Sequence, residues 1–123
     1  MKVKFMDNSK QNNSIRLTLG KEYVVLSVEM FYNSSLGAKS LGDVVRYRIE
    51  DDDGIVIPFE ADIFFVSSKK LPSNWVSFTP NRQQLEIVPA TWAYQYFWDD
   101  YYNDKPEAIK VFLQERSIIY SQS

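Results

Sequence analysis

The sequence changes its hydrophobic period near Pro89, and this change constrains the fold more than any other feature of the chain. Before Pro89, apolar and polar residues alternate, for example in Leu26–Met30 and Asp43–Glu50, as is typical of strands with one buried face. After Pro89, large apolar residues recur at helical spacing instead. Strands followed by helices predict an α+β domain, in which an antiparallel sheet or small barrel of about six strands precedes two C-terminal helices that pack against one side.

Turn signals separate the predicted strands. Asp53-Gly54 lies between two apolar runs and predicts a β-hairpin, because both residues adopt positive φ at low cost. Two polar segments, Asp7–Ser14 and Asn33–Gly42, predict loops. Strand-like segments are expected at Val3–Met6, Glu22–Tyr32, Asp43–Glu50, Ile55–Pro58, Asp62–Ser67, Asn74–Thr79 and Leu85–Val88.

The C-terminal part carries the signals for two helices. The first is predicted to begin at Pro89, and the second at Asp104. Asp104 suits an N-cap, Pro106 lies in the first turn, and Glu107 takes the reciprocal position of a capping box. Helical spacing predicts the buried faces, which comprise Trp92, Tyr96, Phe97 and Tyr101 in the first helix and Ala108, Ile109, Phe112, Leu113 and Ile119 in the second.

Composition excludes several kinds of chemistry. The chain has 123 residues, of which 45% are hydrophobic, and this fits a single domain over residues 1–123 with a real core. It contains no cysteine and no histidine, so it lacks thiol chemistry, the commonest transition-metal ligand and the usual near-neutral acid or base. Neither a Gly-x-Ser-x-Gly motif nor a glycine-rich phosphate loop occurs. We therefore predict that the protein is not an enzyme, with no catalytic residue, no metal site and no cofactor.

Charge and hydropathy narrow the range of partners. A net charge of −2 argues against non-specific binding of nucleic acid, which requires a basic surface. No apolar run approaches the ~20 residues that span a bilayer. The N-terminal segment also lacks the apolar core of a secretory signal. We expect a cytoplasmic protein without membrane or nucleic-acid partners, and the sequence leaves its oligomeric state open.

Residues 92–107, with the sequence WAYQYFWDDYYNDKPE, combine aromatic rings and carboxylates at unusual density. Rigid rings beside negative charge suit docking onto a basic protein surface. Trp98 follows Phe97, and neighbours on a helix point about 100° apart. Partial exposure of Trp98 is therefore one interpretation, and packing at the rim of the core is the other. The candidate partner-binding residues of this segment are Trp98, Asp99, Asp100, Tyr101, Tyr102 and Asp104.

A second acidic cluster surrounds the predicted hairpin. The segment Glu50–Asp62 holds six acids and no lysine or arginine, so Asp51, Asp52 and Asp53 are further candidate partner-binding residues. Consecutive carboxylates also suit calcium or magnesium, but the alternating ligands of a calcium loop are missing, and a solvated turn is the preferred interpretation. A small hydrolase that uses a pair of carboxylates remains an alternative function, as does a metal-binding protein.

Arg46 and Arg48 alternate with apolar residues, so both project from one face of their strand. A platform for nucleic acid would place aromatic rings beside them on that face. The preferred interpretation is an outer face on which the two arginines pair with nearby acids.

A resemblance to known proteins lies in the order of several segments. LTLGKEYVVLSVE, RYRIEDDDG, PFEADIFFV and LPSNWVSF come first, and PATWAYQYFWDDYYNDKPEAIKVFLQE closes the chain. Over Leu17–Glu115 this order resembles small bacterial immunity proteins of polymorphic toxin systems, including contact-dependent growth inhibition, although Asn33–Gly42 is longer than in that pattern. The resemblance implies a cytoplasmic protein that binds one toxin domain, a nuclease being one candidate, and blocks its basic active-site surface without catalysis. A barrel module that binds peptides is a further alternative.

Overall fold

Strands precede helices along the chain, and the predicted α+β class is confirmed. A computed structural model describes residues 1–6, 15–32 and 44–123. The predicted loops Asp7–Ser14 and Asn33–Gly42 and the first residue of the strand Asp43–Glu50 lie outside the described residues. Over the described ranges, eight strands form two antiparallel sheets that do not close into a barrel, and two α-helices follow.

The smaller sheet has three strands in the order β2-β1-β6. Strand β1 spans Lys2–Phe5, β2 spans Glu22–Val24 and β6 spans Phe64–Ser68. Its strands alternate as the sequence predicts, because Val3 and Phe5 are buried while Lys2 and Lys4 lie on the opposite face.

The larger sheet has five strands in the order β5-β4-β3-β8-β7, all of them antiparallel. It is built from β3 (Ser27–Phe31), β4 (Val44–Glu50), β5 (Val56–Glu60), β7 (Trp75–Asn81) and β8 (Gln84–Pro89). A short 3₁₀ helix over Ala61–Ile63 occupies the start of the predicted strand Asp62–Ser67 and leads from the larger sheet to the smaller one.

The single long strand predicted over Glu22–Tyr32 is wrong, because the chain turns a corner at Val25 and Leu26 and passes from one sheet to the other. The backbone amide of Val25 donates to the carbonyl of Met1 at 3.0 Å, and that of Leu26 donates to the carbonyl of Arg48 at 2.8 Å. Three consecutive apolar residues, 24–26, break the alternation here, because Val25 packs in one hydrophobic core while Val24 and Leu26 pack in the other.

Two hydrophobic cores lie on opposite faces of the five-stranded sheet. The first fills the space between the two sheets and is formed by Val3, Phe5, Tyr23, Val25, Val28, Ile49 and Ile63. The second lies between the larger sheet and the helices and is formed by Leu26, Val56, Val88, Trp92, Phe97, Ala108, Phe112 and Ile119. The helices therefore cover one face of the larger sheet, as predicted.

The C-terminal part contains two α-helices, but the first begins later than predicted. Pro89 caps a 3₁₀ helix over Ala90–Trp92, and α1 spans only Phe97–Tyr102. Trp92 and Phe97 are buried as expected, whereas Tyr96 precedes α1 and is 59% exposed. The helical register predicted from Pro89 fails because 93–96 are not helical. No helix in the described part of the chain is long and apolar enough to cross a membrane.

The predicted N-cap at Asp104 is wrong, because this residue ends α1 instead of starting the next helix. Helix α2 spans Pro106–Ser121 with Lys105 at the N-cap and no side-chain cap. Asp104 has φ +57°, its amide donates to the carbonyl of Tyr101 at 3.1 Å, and the amide of Lys105 donates to that of Asp100 at 3.0 Å. This pair of hydrogen bonds is a Schellman motif, in which glycine usually takes the left-handed position.

Candidate functional site

The β4–β5 hairpin forms as predicted, and Asp51 organises it from the inside. The carboxylate of Asp51 accepts hydrogen bonds from the amides of Asp53 and Ile55, each at 2.9 Å, and from Nε of Arg16 at 2.9 Å. The loop covers residues 51–55, and Gly54 alone of its residues has a positive φ, so the two-residue turn expected at Asp53-Gly54 is wrong. The side chain of Asp51 is 0% exposed, which makes it a hairpin-stabilising group with no surface for a partner.

The other acids of the hairpin lie at the surface with basic partners from distant segments. Asp52 accepts hydrogen bonds from Lys21, Thr18 and Tyr23 at 2.7 to 2.8 Å. The bond from Lys21 is the main reason why the pKa of Asp52 lies below its ordinary value. Asp53 shares Arg16 with Asp51, at 3.1 Å. The negative charge of the hairpin is thus largely offset by cations that the sequence places far away.

A cleft of about 350 Å³ lies beside this hairpin, between β2 and Tyr120 of α2. The carboxylate of Glu50 in its wall accepts hydrogen bonds from Arg116 and from the hydroxyl of Tyr120. Among the residues described, no group of three or more acids could hold a metal ion. Each carboxylate that lines the cleft accepts at least one hydrogen bond from another described residue, and no observation on these residues favours the hydrolase or the metal-binding protein.

Arg46 and Arg48 pair with an acid as predicted, but the outer face expected for Arg48 is wrong. Both guanidinium groups bind the carboxylate of Glu29 on the neighbouring strand β3. Glu29 is itself buried. Arg48 is only 6% exposed, because α1 lies over it. Its guanidinium carbon lies 4.1 Å from the centre of the Trp98 ring. Alternation in the sequence shows that Arg46 and Arg48 share one face of β4. It does not show that α1 covers this face.

Glu86 on β8 extends this buried polar group, and it was not selected from the sequence as a site residue. It lies directly opposite Glu29 across the β3–β8 pair. Burial and the nearby charge of Glu29 raise the pKa of Glu86 from 4.5 to about 7, against the opposing effect of Arg48. The only sequence signal is a glutamate at an alternating position between apolar residues of a strand.

Trp98 and Tyr101 pack at the rim of the second core. The ring of Trp98 meets those of Trp92 and Phe97 edge-on, with centroids 5.5 and 4.8 Å apart. Tyr101 packs against Phe112 at 4.4 Å between centroids. Both residues are half-buried, which agrees with rim packing more than with protruding anchors.

Tyr102 differs from its neighbours because it is both tethered and exposed. Its hydroxyl accepts a hydrogen bond from Arg48 at 2.8 Å and donates one to the carbonyl of Val56, the first residue of β5. The residue nevertheless remains 47% exposed. Because Val56 directly follows the loop of the β4–β5 hairpin, this tether brings the end of α1 beside the hairpin. The two acidic clusters of the sequence are therefore neighbours.

The acids of the α1 segment differ in how far they are engaged. Asp100 accepts a hydrogen bond from the hydroxyl of Tyr94 at 3.0 Å and pairs with Lys105 at 3.2 Å. The carboxylates of Asp99 and Asp104 are exposed and make no ion pair with another described residue. Four exposed residues lie along α1 and at its two ends, and together we call them the α1 surface: Tyr96, Asp99, Tyr102 and Asp104.

Comparison with known proteins finds no match to a protein-family model, a curated protein or a solved structure. The fold places the nine candidate partner-binding residues around the β4–β5 hairpin and α1, and their binding to a partner stays a prediction. Tyr96 is an exposed residue of this region that the sequence assigned to the buried face.

Proposed function

We propose that this chain is an immunity protein, which binds a bacterial toxin domain and blocks its active-site surface without catalysing a reaction. The proposal rests on the resemblance of its segment order to such proteins and on the character of the α1 surface. An inhibitor of this kind needs a rigid, exposed patch with anchor side chains, and it needs no reactive group.

The observation that carries the proposal is the tether of Tyr102. Aromatic anchors bind best when they lose little freedom on binding, and hydrogen bonds from Arg48 and to Val56 already fix the Tyr102 hydroxyl. The exposed part of its ring remains open to contact with the partner. Tyr96, at the N-cap of α1, adds a second exposed ring.

Charge selects the kind of partner. The hairpin acids are offset by Arg16, Lys21 and Arg116, so they contribute little net potential. Asp99 and Asp104 keep their charge on the α1 surface, and Glu107 adds a third exposed acid at the start of α2. This pattern suits a toxin domain with a basic surface, such as one that holds nucleic acid, because complementary charge speeds association and rejects other partners.

The test is to measure binding and protection with the toxin domain encoded beside this chain's gene. We expect Tyr96→Ala to weaken binding about tenfold or more, since it removes an anchor ring. We expect Asp99→Lys to slow association, and to do so more at low salt. Both changes lie at exposed positions, so the fold should be retained, which circular dichroism checks.

Two matched variants, both outside α1, are the controls. One controls for the loss of exposed apolar surface and the other for the reversal of a charge. Leu71→Ala removes an equally exposed apolar side chain, and Glu60→Lys reverses an exposed acid on β5. Both are expected to bind the toxin domain as the unchanged protein does. Unchanged affinity and growth protection in Tyr96→Ala and Asp99→Lys would refute the α1 surface, and failure of the unchanged protein to protect would refute the function.

A further inference from the structure

The four edge strands of the two sheets differ in how they are protected against pairing with another chain. Natural edges are blunted by proline, charge, irregular pairing or shortness. Strand β5 carries Pro58 and Glu60, β7 carries Pro80 and a register break, and β2 has only three residues, the first of them Glu22. Strand β6, with the sequence FFVSS, contains neither proline nor charge, and its one bulge lies at Ser67 near its end.

The outer edge of β6 pairs with no other strand in the described ranges. Beside this edge, Phe65 points away from the core and is 65% exposed, more than any other large apolar side chain described. Phe64 and Val66 point inward and pack against the first core. The strand is therefore anchored on one face and presents an exposed aromatic ring on the other.

The surroundings of Phe65 are basic. Lys4 lies directly opposite Phe65 on β1, Lys2 lies opposite Ser68, and residues 69 and 70 are also lysines. None of these four lysines makes an ion pair with another described residue. Among the described residues of this sheet, the acid on the same face is Glu22, whose carboxylate accepts a hydrogen bond from Ser67 at 2.6 Å. This face therefore carries a net positive charge, opposite in sign to the α1 surface.

We propose that the free edge of β6 takes up an extended, acidic segment of a partner protein as an added strand, with Phe65 as the anchor. The backbone of the segment continues the β2-β1-β6 sheet, and its outward carboxylates face the lysines. A second copy of this chain fits less well, because pairing two β6 edges would bring two sets of lysines together. The proposal concerns a different face from the α1 surface and does not depend on the immunity function.

The test uses the full chain, labelled with ¹⁵N, and two capped synthetic peptides of about ten residues, the length of a long strand. One peptide alternates valine with glutamate, and the other alternates valine with lysine. With the glutamate peptide we expect amide shift changes confined to residues 2–4 and 64–70. We expect this peptide to bind at least about tenfold more tightly than the lysine peptide. This difference should shrink in 0.5 M salt, because the screening length falls to about 4 Å.

Two variants separate the contributions of the ring and the charge. Phe65→Ser should weaken binding of the glutamate peptide about tenfold, as expected from losing burial of one large apolar side chain. Lys4→Glu should reduce the preference for the glutamate peptide, while Lys110→Glu, the same change on an exposed position of α2, should leave it intact. The side chains of Phe65 and Lys4 both point away from the core, so neither Phe65→Ser nor Lys4→Glu should disturb it.

Three results would overturn the proposal. The first is a failure of the glutamate peptide to bind preferentially. This would appear as equal binding of both peptides, or as no shift changes even at about 1 mM peptide, a concentration that detects very weak association. The second is a set of shift changes on β5 or β7 instead of β6. The third is a dimer in analytical ultracentrifugation that Phe65→Ser dissociates, which would assign the edge to a second copy of the chain.

Discussion

The guanidinium of Arg48 donates a hydrogen bond to the phenol oxygen of Tyr102 at 2.8 Å and so joins β4 to α1 across 54 positions of the chain. The same guanidinium binds the buried carboxylate of Glu29 and lies against the ring of Trp98. A single buried cation therefore connects the centre of the larger sheet to the helix that carries the proposed docking surface.

Replacing this cation should destabilise the whole domain. Arg48→Met keeps much of the side-chain volume but leaves Glu29 buried with one fewer partner, and we expect a loss of about 3–5 kcal/mol in the free energy of unfolding. Arg46→Met is the matched control, because Arg46 makes one bond to Glu29 and is partly exposed, and its effect should be clearly smaller. Urea denaturation followed by circular dichroism measures both, and equal losses would contradict the central role of Arg48.

The raised pKa of Glu86, about 7 instead of 4.5, makes stability depend on pH in a defined direction. The folded chain holds this proton more tightly than the unfolded chain, so the contribution is complete below pH 4.5 and is lost as the pH rises through about 7. We expect Glu86→Gln to match the unchanged protein near pH 4.5 and to exceed it in stability by up to about 3 kcal/mol at pH 8. Denaturation at several pH values checks this, with Glu60→Gln, an exposed acid, as the control; parallel curves for Glu86→Gln and the unchanged protein would refute the assignment.

The buried and exposed acids of the hairpin should respond differently to truncation. Asp51→Ala removes the acceptor of two backbone amides and of Arg16, and we expect a loss of about 2–4 kcal/mol because buried donors are left without partners. Asp53→Ala, only two residues away, removes an exposed carboxylate and should change stability by less than about 0.5 kcal/mol. Thermal melting distinguishes the two variants, and a mild effect of Asp51→Ala would show that the hairpin does not depend on its carboxylate.

The left-handed backbone of Asp104 predicts a conflict between stability and function. A residue with a side chain at φ +57° is strained by about 1 kcal/mol relative to glycine, so Asp104→Gly should stabilise the fold by up to that amount. If Asp104 contributes to the α1 surface, the same variant should bind the toxin domain more weakly. Asp104→Asn, which tolerates this backbone and lacks the charge, separates the two effects; full binding by both variants would remove Asp104 from the site.

The order of the elements could be predicted from the sequence, because it depends on local periodicity. The hairpin between β4 and β5 follows from turn chemistry, and the buried position of Phe112 follows from helical spacing. Trp92 and Phe97 are buried as predicted, although the helical register from which their burial was predicted is wrong. The corner at Val25 and Leu26 could not be predicted this way, since a continuous apolar run has the same appearance in one buried strand as in two strands of different sheets.

The electrostatics of the site were the least predictable part. The sequence shows consecutive acids at the hairpin with no nearby base, but Arg16 and Lys21 reach them from the segment before β2, and Arg116 reaches Glu50 from α2. Likewise, alternation places Arg46 and Arg48 on one face of β4. Whether a helix covers that face depends on tertiary packing between segments that are distant in the sequence. Charge pairs between distant segments leave no local pattern, so the net potential of a surface depends on the fold.

The corner at Val25 and Leu26 has a consequence for how the molecule comes apart. These adjacent residues belong to cores on opposite faces of the larger sheet, so neither core can loosen without pulling on the backbone that anchors the other. Heating should therefore unfold both cores together, in one transition with equal calorimetric and van't Hoff enthalpies. The helices should not detach first.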